Sequence, residues 1–358
     1  MSIGYLSESW TATAPSPHPP RKLDLEVRHL LEDVRELSSI PLKLCLEEWD
    51  KLTSLLLEGL THSEELSIKK CSSIKTLGLS RFIHLKRLRI EHCDSLVEIK
   101  GCDNLESLEV IFLYFCKCLK KFKASGCGNL IEIQGLDGAK SLEELDFTGC
   151  KSMETLPDLT GCEKLRSLRV QDCKKLAHLR GLEMLNLTYL DISGCDSLEA
   201  IPNLFLYECK CLKKFKASGC GNLVEIQGLD GAKFLEELDF TGCKSMETLP
   251  DLTGFEKLRS LMVRDCKKLT QLRGFEMLNL TYLDISGCDS LEAIPKLFLY
   301  ECKRLKTFKA SGCGNLVEIQ GLDGAKFLEM LDLTGCKSME TLPDLTGCEK
   351  LRSLIVQD

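Results

Sequence analysis

Aromatic side chains are scarce in this chain of 358 residues: they make up 6% of it, with only two tryptophans. The apolar set is mostly leucine. Long apolar runs are missing as well, and none approaches the roughly 20 residues a membrane-spanning helix needs. The opening residues, MSIGYLSESW, have neither a basic start nor an apolar stretch, so no secretory signal is expected. Positive charge is in deficit. A formal net charge of −7 speaks against a general binder of nucleic acid or anionic membrane, which needs a basic surface. No C-x₂-C pair combines with spaced histidines in a zinc pattern, and the six histidines are scattered. A soluble chain with no metal and no cofactor is the expectation.

Cysteine is the opposite case, with 21 copies. In a short secreted protein that number reads as a disulfide framework. Here twelve of them (Cys71, Cys93, Cys127, Cys150, Cys173, Cys195, Cys220, Cys243, Cys266, Cys288, Cys313 and Cys336) hold the same place in a recurring pattern, L-x-x-L-x-φ-x-x-C-x-x-φ-x-x-φ. One copy reads Leu142, Leu145, Phe147, Cys150, Met153, Leu156; the next reads Leu165, Leu168, Val170, Cys173, Leu176, Leu179. The L-x-φ step has period two and predicts a short strand with Leu145 and Phe147 on one face. After the cysteine the apolar period becomes three, which fits turns or 3₁₀ segments better than a second strand. Pro157, Pro202, Pro250, Pro295 and Pro343 fall in that return segment.

One such unit cannot bury its apolar face alone, so it must stack on copies of itself. About a dozen leucine-rich units are recognisable from Leu52 onward. The fold class expected is an α/β repeat solenoid, a leucine-rich-repeat horseshoe with a parallel sheet lining its concave side and loops or 3₁₀ turns on the convex side. The recurring cysteine then reads as a small buried group facing backbone. Free thiols in such number suit a reducing compartment, the cytoplasm or nucleus.

Residues 119–211 and 212–304 align without gaps over 93 positions and differ at ten, and a third copy starts at 305 and stops at 358 within a unit. That stop suggests a piece of a longer protein. Residues 1–22 include the proline-rich TATAPSPHPP and are expected to be disordered. Residues 23–51 read as an irregular N-terminal cap, and 52–358 as the solenoid. Leu105 and Leu119 are only 14 residues apart, which a deletion within one unit would explain.

The form LxxLxLxxCxxLxxLP, as in LEELDFTGCKSMETLPDL and LTYLDISGCDSLEAIPNL, resembles the C-terminal repeat region of plant disease-resistance proteins, most closely the TIR-type class with a nucleotide-binding switch. The resemblance covers residues 52–358. It implies recognition of a pathogen effector or a guarded host protein, and restraint of the nucleotide-binding domain of the full-length parent. No G-x-x-x-x-G-K-[ST] loop is present, so nucleotide exchange cannot reside in this chain.

The candidate site lies on the predicted concave face. The residue between the two apolar strand positions faces solvent, and down the stack it alternates in sign: Arg169, Asp191, Lys216, Asp239, Met262, Asp284. In-register strands would set opposite charges side by side as a ladder. Such a ladder is either a recognition face or a device that holds a solvated sheet in register, each pair worth about 0.2–1 kcal/mol, and the second reading is the stronger one. Breaks in the ladder are more telling. Arg169 becomes Met262 and Ile355 in later blocks, and Gln171 becomes Arg264 and Gln357. Tyr189 and Tyr282 lie nearby, and exposed aromatics with Arg are typical anchors for a protein partner. Neutral drift after duplication fits the same pattern equally well. Cys116-x-Cys118 and Cys209-x-Cys211 suggest thiol pairs, but the third block has Cys302-x-Arg304. Polar residues recur in every block and no nucleophile, base and orienter stand out together, so no enzyme is expected. Asn186-Leu187-Thr188 and Asn279-Leu280-Thr281 match a glycosylation sequon that matters only in a secreted chain. A general interaction scaffold is the alternative function. A substrate-recruiting subunit of a ubiquitin ligase is weaker, because such repeats usually run nearer 26 residues and no F-box precedes these.

Overall fold

The computed structural model describes residues 42–48, 63–103, 105–179, 186–272 and 277–357. Residues 1–22 and most of the expected cap therefore lie outside the described residues. The chain divides into two compact units, residues 1–153 with 157–164 and residues 154–156 with 165–358. Both are parallel-stranded leucine-rich solenoids with little helix.

The second unit shows the coil in its simplest form. Nine three-residue strands stack in one parallel ladder: Ser167–Arg169, Tyr189–Asp191, Lys214–Lys216, Glu237–Asp239, Ser260–Met262, Tyr282–Asp284, Thr307–Lys309, Met330–Asp332 and Ser353–Ile355. In the first eight the central side chain, Leu168, Leu190, Phe215 or an equivalent, is fully buried, and its neighbours alternate outward. Leu354, in a strand with a neighbour on one side only, is 41% exposed.

The return segment is more ordered than its period of three suggests. Ala200–Ile201 pairs with Glu225–Ile226, and Ala293–Ile294 with Glu318–Ile319. Single bridges join Thr155 to His178 and Thr248 to Gln271. Pro202 and Pro295 then lead into five-residue α-helices, Asn203–Tyr207 and Lys296–Tyr300, where a missing N–H costs no ladder bond. Expected 3₁₀ turns occur at Leu229–Gly231 and Leu322–Gly324.

The cysteine column is architectural, as its periodicity implied. Cys195, Cys220, Cys243 and Cys313 are fully buried and each thiol donates to a carbonyl of the preceding coil at 3.1 Å. Desolvation pushes the Cys220 thiol up to about 11 and Cys313 to about 12, far from the thiolate form. The preceding residue turns the chain through a positive φ. Gly194, Gly219, Gly242, Gly287 and Gly312 take it at 72–76°, where a side chain would be strained.

In the first unit the same coil carries strands on two sides. Leu42–Glu47, Ser63–Lys69, Arg87–Glu91, Val110–Tyr114 and Glu132–Gln134 form a five-stranded parallel sheet. Thr76–Gly78, Glu98–Lys100, Lys121–Lys123 and Glu144–Asp146 form a second ladder. Buried residues alternate between the two at half-coil steps: Leu66, Leu77, Leu88, Ile99, Ile111, Phe122, Ile133, Leu145. Of the residues read as an irregular cap, 42–47 form a strand with Lys43 opposite Glu65 and a register shift after Leu42. One expectation is corrected here. The short 105–119 spacing is not a deletion from a coil. Successive half-coils both carry the φ-x-φ-x-x-C motif, as Ile111, Leu113, Cys116 and then Phe122, Ala124, Cys127, so the motif changes sides while the coil length is kept.

Candidate functional site

All ten candidate residues lie in the second unit on the outward side of the nine-strand ladder. Arg169, Asp191, Lys216, Asp239, Met262 and Asp284 are Cα partners in unbroken register. At Lys216 the charges are not paired straight across with Asp239, its register partner. Lys216 reaches diagonally to Glu237, at 3.1 Å, and Lys214 binds the same carboxylate at 2.9 Å. Desolvation raises the Glu237 pKa, but the two ammonium groups outweigh it and hold the carboxyl below its ordinary value. The first unit repeats the arrangement with Glu144 between Lys121 and Lys123.

The aspartates turn back on their own chain instead. Asp239 accepts the Thr241 N–H at 2.9 Å, Asp191 the Ser193 N–H at 3.1 Å, and Asp284 the Ser286 N–H at 3.1 Å. These local bonds close each strand with an Asx turn. Asp191 and Asp284, expected to be solvent-facing, are buried at 1% and 2% exposure. The covering group is a tyrosine two residues earlier: Tyr189 donates its hydroxyl to Asp191 at 2.9 Å, and Tyr282 to Asp284 at 3.0 Å. Burial and the adjacent carboxylate push the Tyr282 phenol up to about 12 and raise Tyr189 likewise.

The candidates thus gather into two clusters of different character. In the first, Gln171 also donates to Asp191, and the Arg169 guanidinium lies 5.0 Å from the centre of the Tyr189 ring. These four side chains brace one another. In the second, Met262 replaces Arg169 and leaves the Tyr282 ring without that cover. Arg264 replaces Gln171 and is exposed, its Nε 3.9 Å from Asp284. Lys309 approaches the Tyr282 ring from the next strand, 6.0 Å from its centre. The second cluster therefore differs in chemistry more than in burial: Tyr282 and Met262 are half-buried, as Tyr189 and Arg169 are, and the gain is an exposed guanidinium at Arg264 beside an aromatic ring and a thioether.

The paired cysteines do not come together. Cys209 is buried, donating to the Phe205 carbonyl at 3.1 Å, whereas Cys211 is exposed; Cys116 and Cys118 divide in the same way. Among the described residues no group of three or more His, Cys, Asp or Glu is placed to hold a metal ion. The sequon asparagine Asn279 donates to the Glu256 carbonyl at 2.6 Å and accepts from Arg304 at 2.8 Å.

One surface escaped the sequence reading. On the five-stranded sheet of the first unit, Phe112 and Tyr114 project outward with Arg89 5.7 and 5.9 Å from their ring centres. Phe115, 51% exposed, stacks on His92 with centroids 4.5 Å apart. The signal was present as the unbroken apolar run VIFLYF, whereas a half-buried strand alternates.

No family model and no curated protein matches the chain. Solved structures to which it is similar include a leucine-rich-repeat protein of Leptospira interrogans, at 17% identity over 90% of this chain and 86% of that one, TM-score 0.45. An internalin of Listeria monocytogenes is 15% identical over 89% and 88%, TM-score 0.33. The leucine-rich-repeat domain of the type III effector XopL is 21% identical over 69% and 80%, TM-score 0.28.

Proposed function

We propose that this chain is a protein-binding leucine-rich-repeat module, and that it serves as the effector-sensing and autoinhibitory region of an intracellular plant immune receptor. The observation that carries the binding role is the cluster of half-buried Met262 and Tyr282 with the exposed Arg264. A guanidinium and an aromatic ring on a preorganised sheet are the side chains that dominate protein interfaces. The partner is a pathogen effector or a guarded host protein, and the nucleotide-binding domain of the parent is the partner in the resting state. The immune assignment rests on the resemblance of the repeats. A column of thiols that donate to backbone carbonyls, as at Cys195, Cys220, Cys243 and Cys313, supports a reducing compartment, cytoplasm or nucleus.

A Met262→Ala/Arg264→Ala variant, which keeps the Tyr282 hydroxyl on the buried Asp284, expressed in leaf tissue beside the unmodified chain, tests the role. Immunoprecipitation should lose defined partners by at least tenfold while the melting temperature changes little. Co-expression with a TIR-type nucleotide-binding domain should suppress its cell-death response for the unmodified chain only. Unchanged partners would remove the site. Partners retained without any effect on cell death would favour the general scaffold.

A further inference from the structure

A second interaction surface lies on the edge of the same unit, beside the first leucine of each coil. The residues immediately before and after this leucine are outward-facing, and the trailing ones are linked coil to coil by backbone bonds, as in Arg259 N–H to the Glu236 carbonyl at 2.9 Å. Across the seven coils from Leu212 to Leu351, the two positions before and the one after this leucine hold eleven Lys or Arg against four Asp or Glu. The strip is therefore cationic on a chain whose formal charge is −7. Two exposed phenylalanines interrupt it, Phe234 at 55% and Phe327 at 42%. The Lys350 ammonium sits 4.2 Å from the centre of the Phe327 ring. Arg304, one coil before Phe327, is exposed and donates to the uncharged amide of Asn279 at 2.8 Å. The first block has Ser141 at the equivalent position, so the aromatic side chain is not needed to form a coil.

We infer that this strip binds an extended acidic segment of a protein partner, anchored by one apolar side chain at each phenylalanine. The charge selects the partner: a cationic strip on an acidic molecule attracts anionic segments by its field, while the acidic remainder of the surface repels them. The spacing selects the motif. Phe234 and Phe327 are four coils apart, about 19 Å at roughly 4.8 Å per coil, which an extended peptide spans in about six residues. Lys257, Arg259 and Arg304 lie between them, so the acidic residues belong between the two anchors.

The test uses the full chain and an acetylated heptapeptide with phenylalanine at each end and five acidic residues between, followed by fluorescence anisotropy at low and high salt. Saturable binding is expected, weakened at least tenfold by Phe234→Ser/Phe327→Ser and by Lys257→Glu/Arg304→Glu, and reduced by salt. Moving the two phenylalanines to adjacent positions should weaken it similarly. The Met262→Ala/Arg264→Ala variant should bind the peptide unchanged, which separates this surface from the sheet face. Absence of binding, indifference to both double variants, or equal affinity for an oligothymidylate of similar charge would overturn the inference.

Discussion

At the scale of single residues, the aspartates and glutamates of the sheet face do different work although both alternate with lysine in the sequence. Asp239 is bound to its own turn, while Glu237, two residues earlier, takes both Lys214 and Lys216. A carboxylate at the first position of the strand meets one lysine of its neighbour straight across and the other diagonally, whereas one at the third is within reach of the N–H two residues on. The consequence is a pH dependence with a definite sign. The folded pKa of Glu237 is held below its unfolded value, about 4.3, so its bridges contribute stability above that pH and lose it as pH falls through the folded pKa. Urea midpoints should show Glu237→Gln less stable than the parent at pH 7, with the gap narrowing as pH falls below about 4.3. A gap independent of pH would contradict this. Met330 occupies the equivalent place in the third block, where Lys309 turns instead toward Tyr282.

At the scale of the coil, backbone approach decides which substitutions are tolerated. Gly347 packs so tightly that an added Cβ would lie 1.7 Å from the Asp323 carbonyl oxygen, and Gly161 meets Asp137 in the same way. Each is followed by a cysteine, Cys162 or Cys348, that reaches back to a carbonyl of the preceding coil at 3.1 or 3.2 Å. The middle block has Phe255 in place of that cysteine. There the turn is different: Gly254 takes φ +78° and has only Lys233 Nζ near its would-be Cβ, at 3.9 Å. Gly347→Ala should therefore destabilise its coil by about 2–4 kcal/mol through backbone displacement. Denaturant midpoints check it; a loss below about 0.5 kcal/mol would mean the coils are looser than described.

Much of this was legible from the chain itself. The cysteine column and the buried leucines repeat in every copy, so their period alone assigns them to the core. The half-coil slip near residue 110 was not, because a motif that moves to the opposite side leaves the same trace as a missing segment. Nor was the burial of Asp191 and Asp284, which depends on a tyrosine hydroxyl folding back over the carboxylate. Strand periodicity assigns a face to each side chain, but does not say which neighbour covers it.

At the scale of the whole molecule, a solenoid makes many equivalent positions, and chemistry differs only where copies have diverged. Of the two tyrosine clusters on the sheet face, the first is braced by Arg169 and Gln171, and the second carries Met262 and an exposed Arg264 whose Nε lies 3.9 Å from Asp284. The same fold thus holds two chemically different copies of one arrangement, and the proposed partner site is the second. The most direct test replaces single residues by a photoreactive phenylalanine analogue at 262, 264 and 270, with crosslinking in plant cells. Position 270 lies on the return segment of the same coil, exposed and away from the sheet face. The account predicts one discrete protein adduct, shared by 262 and 264, absent from 270 and competed by unmodified chain. Adducts that are equally strong at 270, or none at 262 and 264, would contradict it.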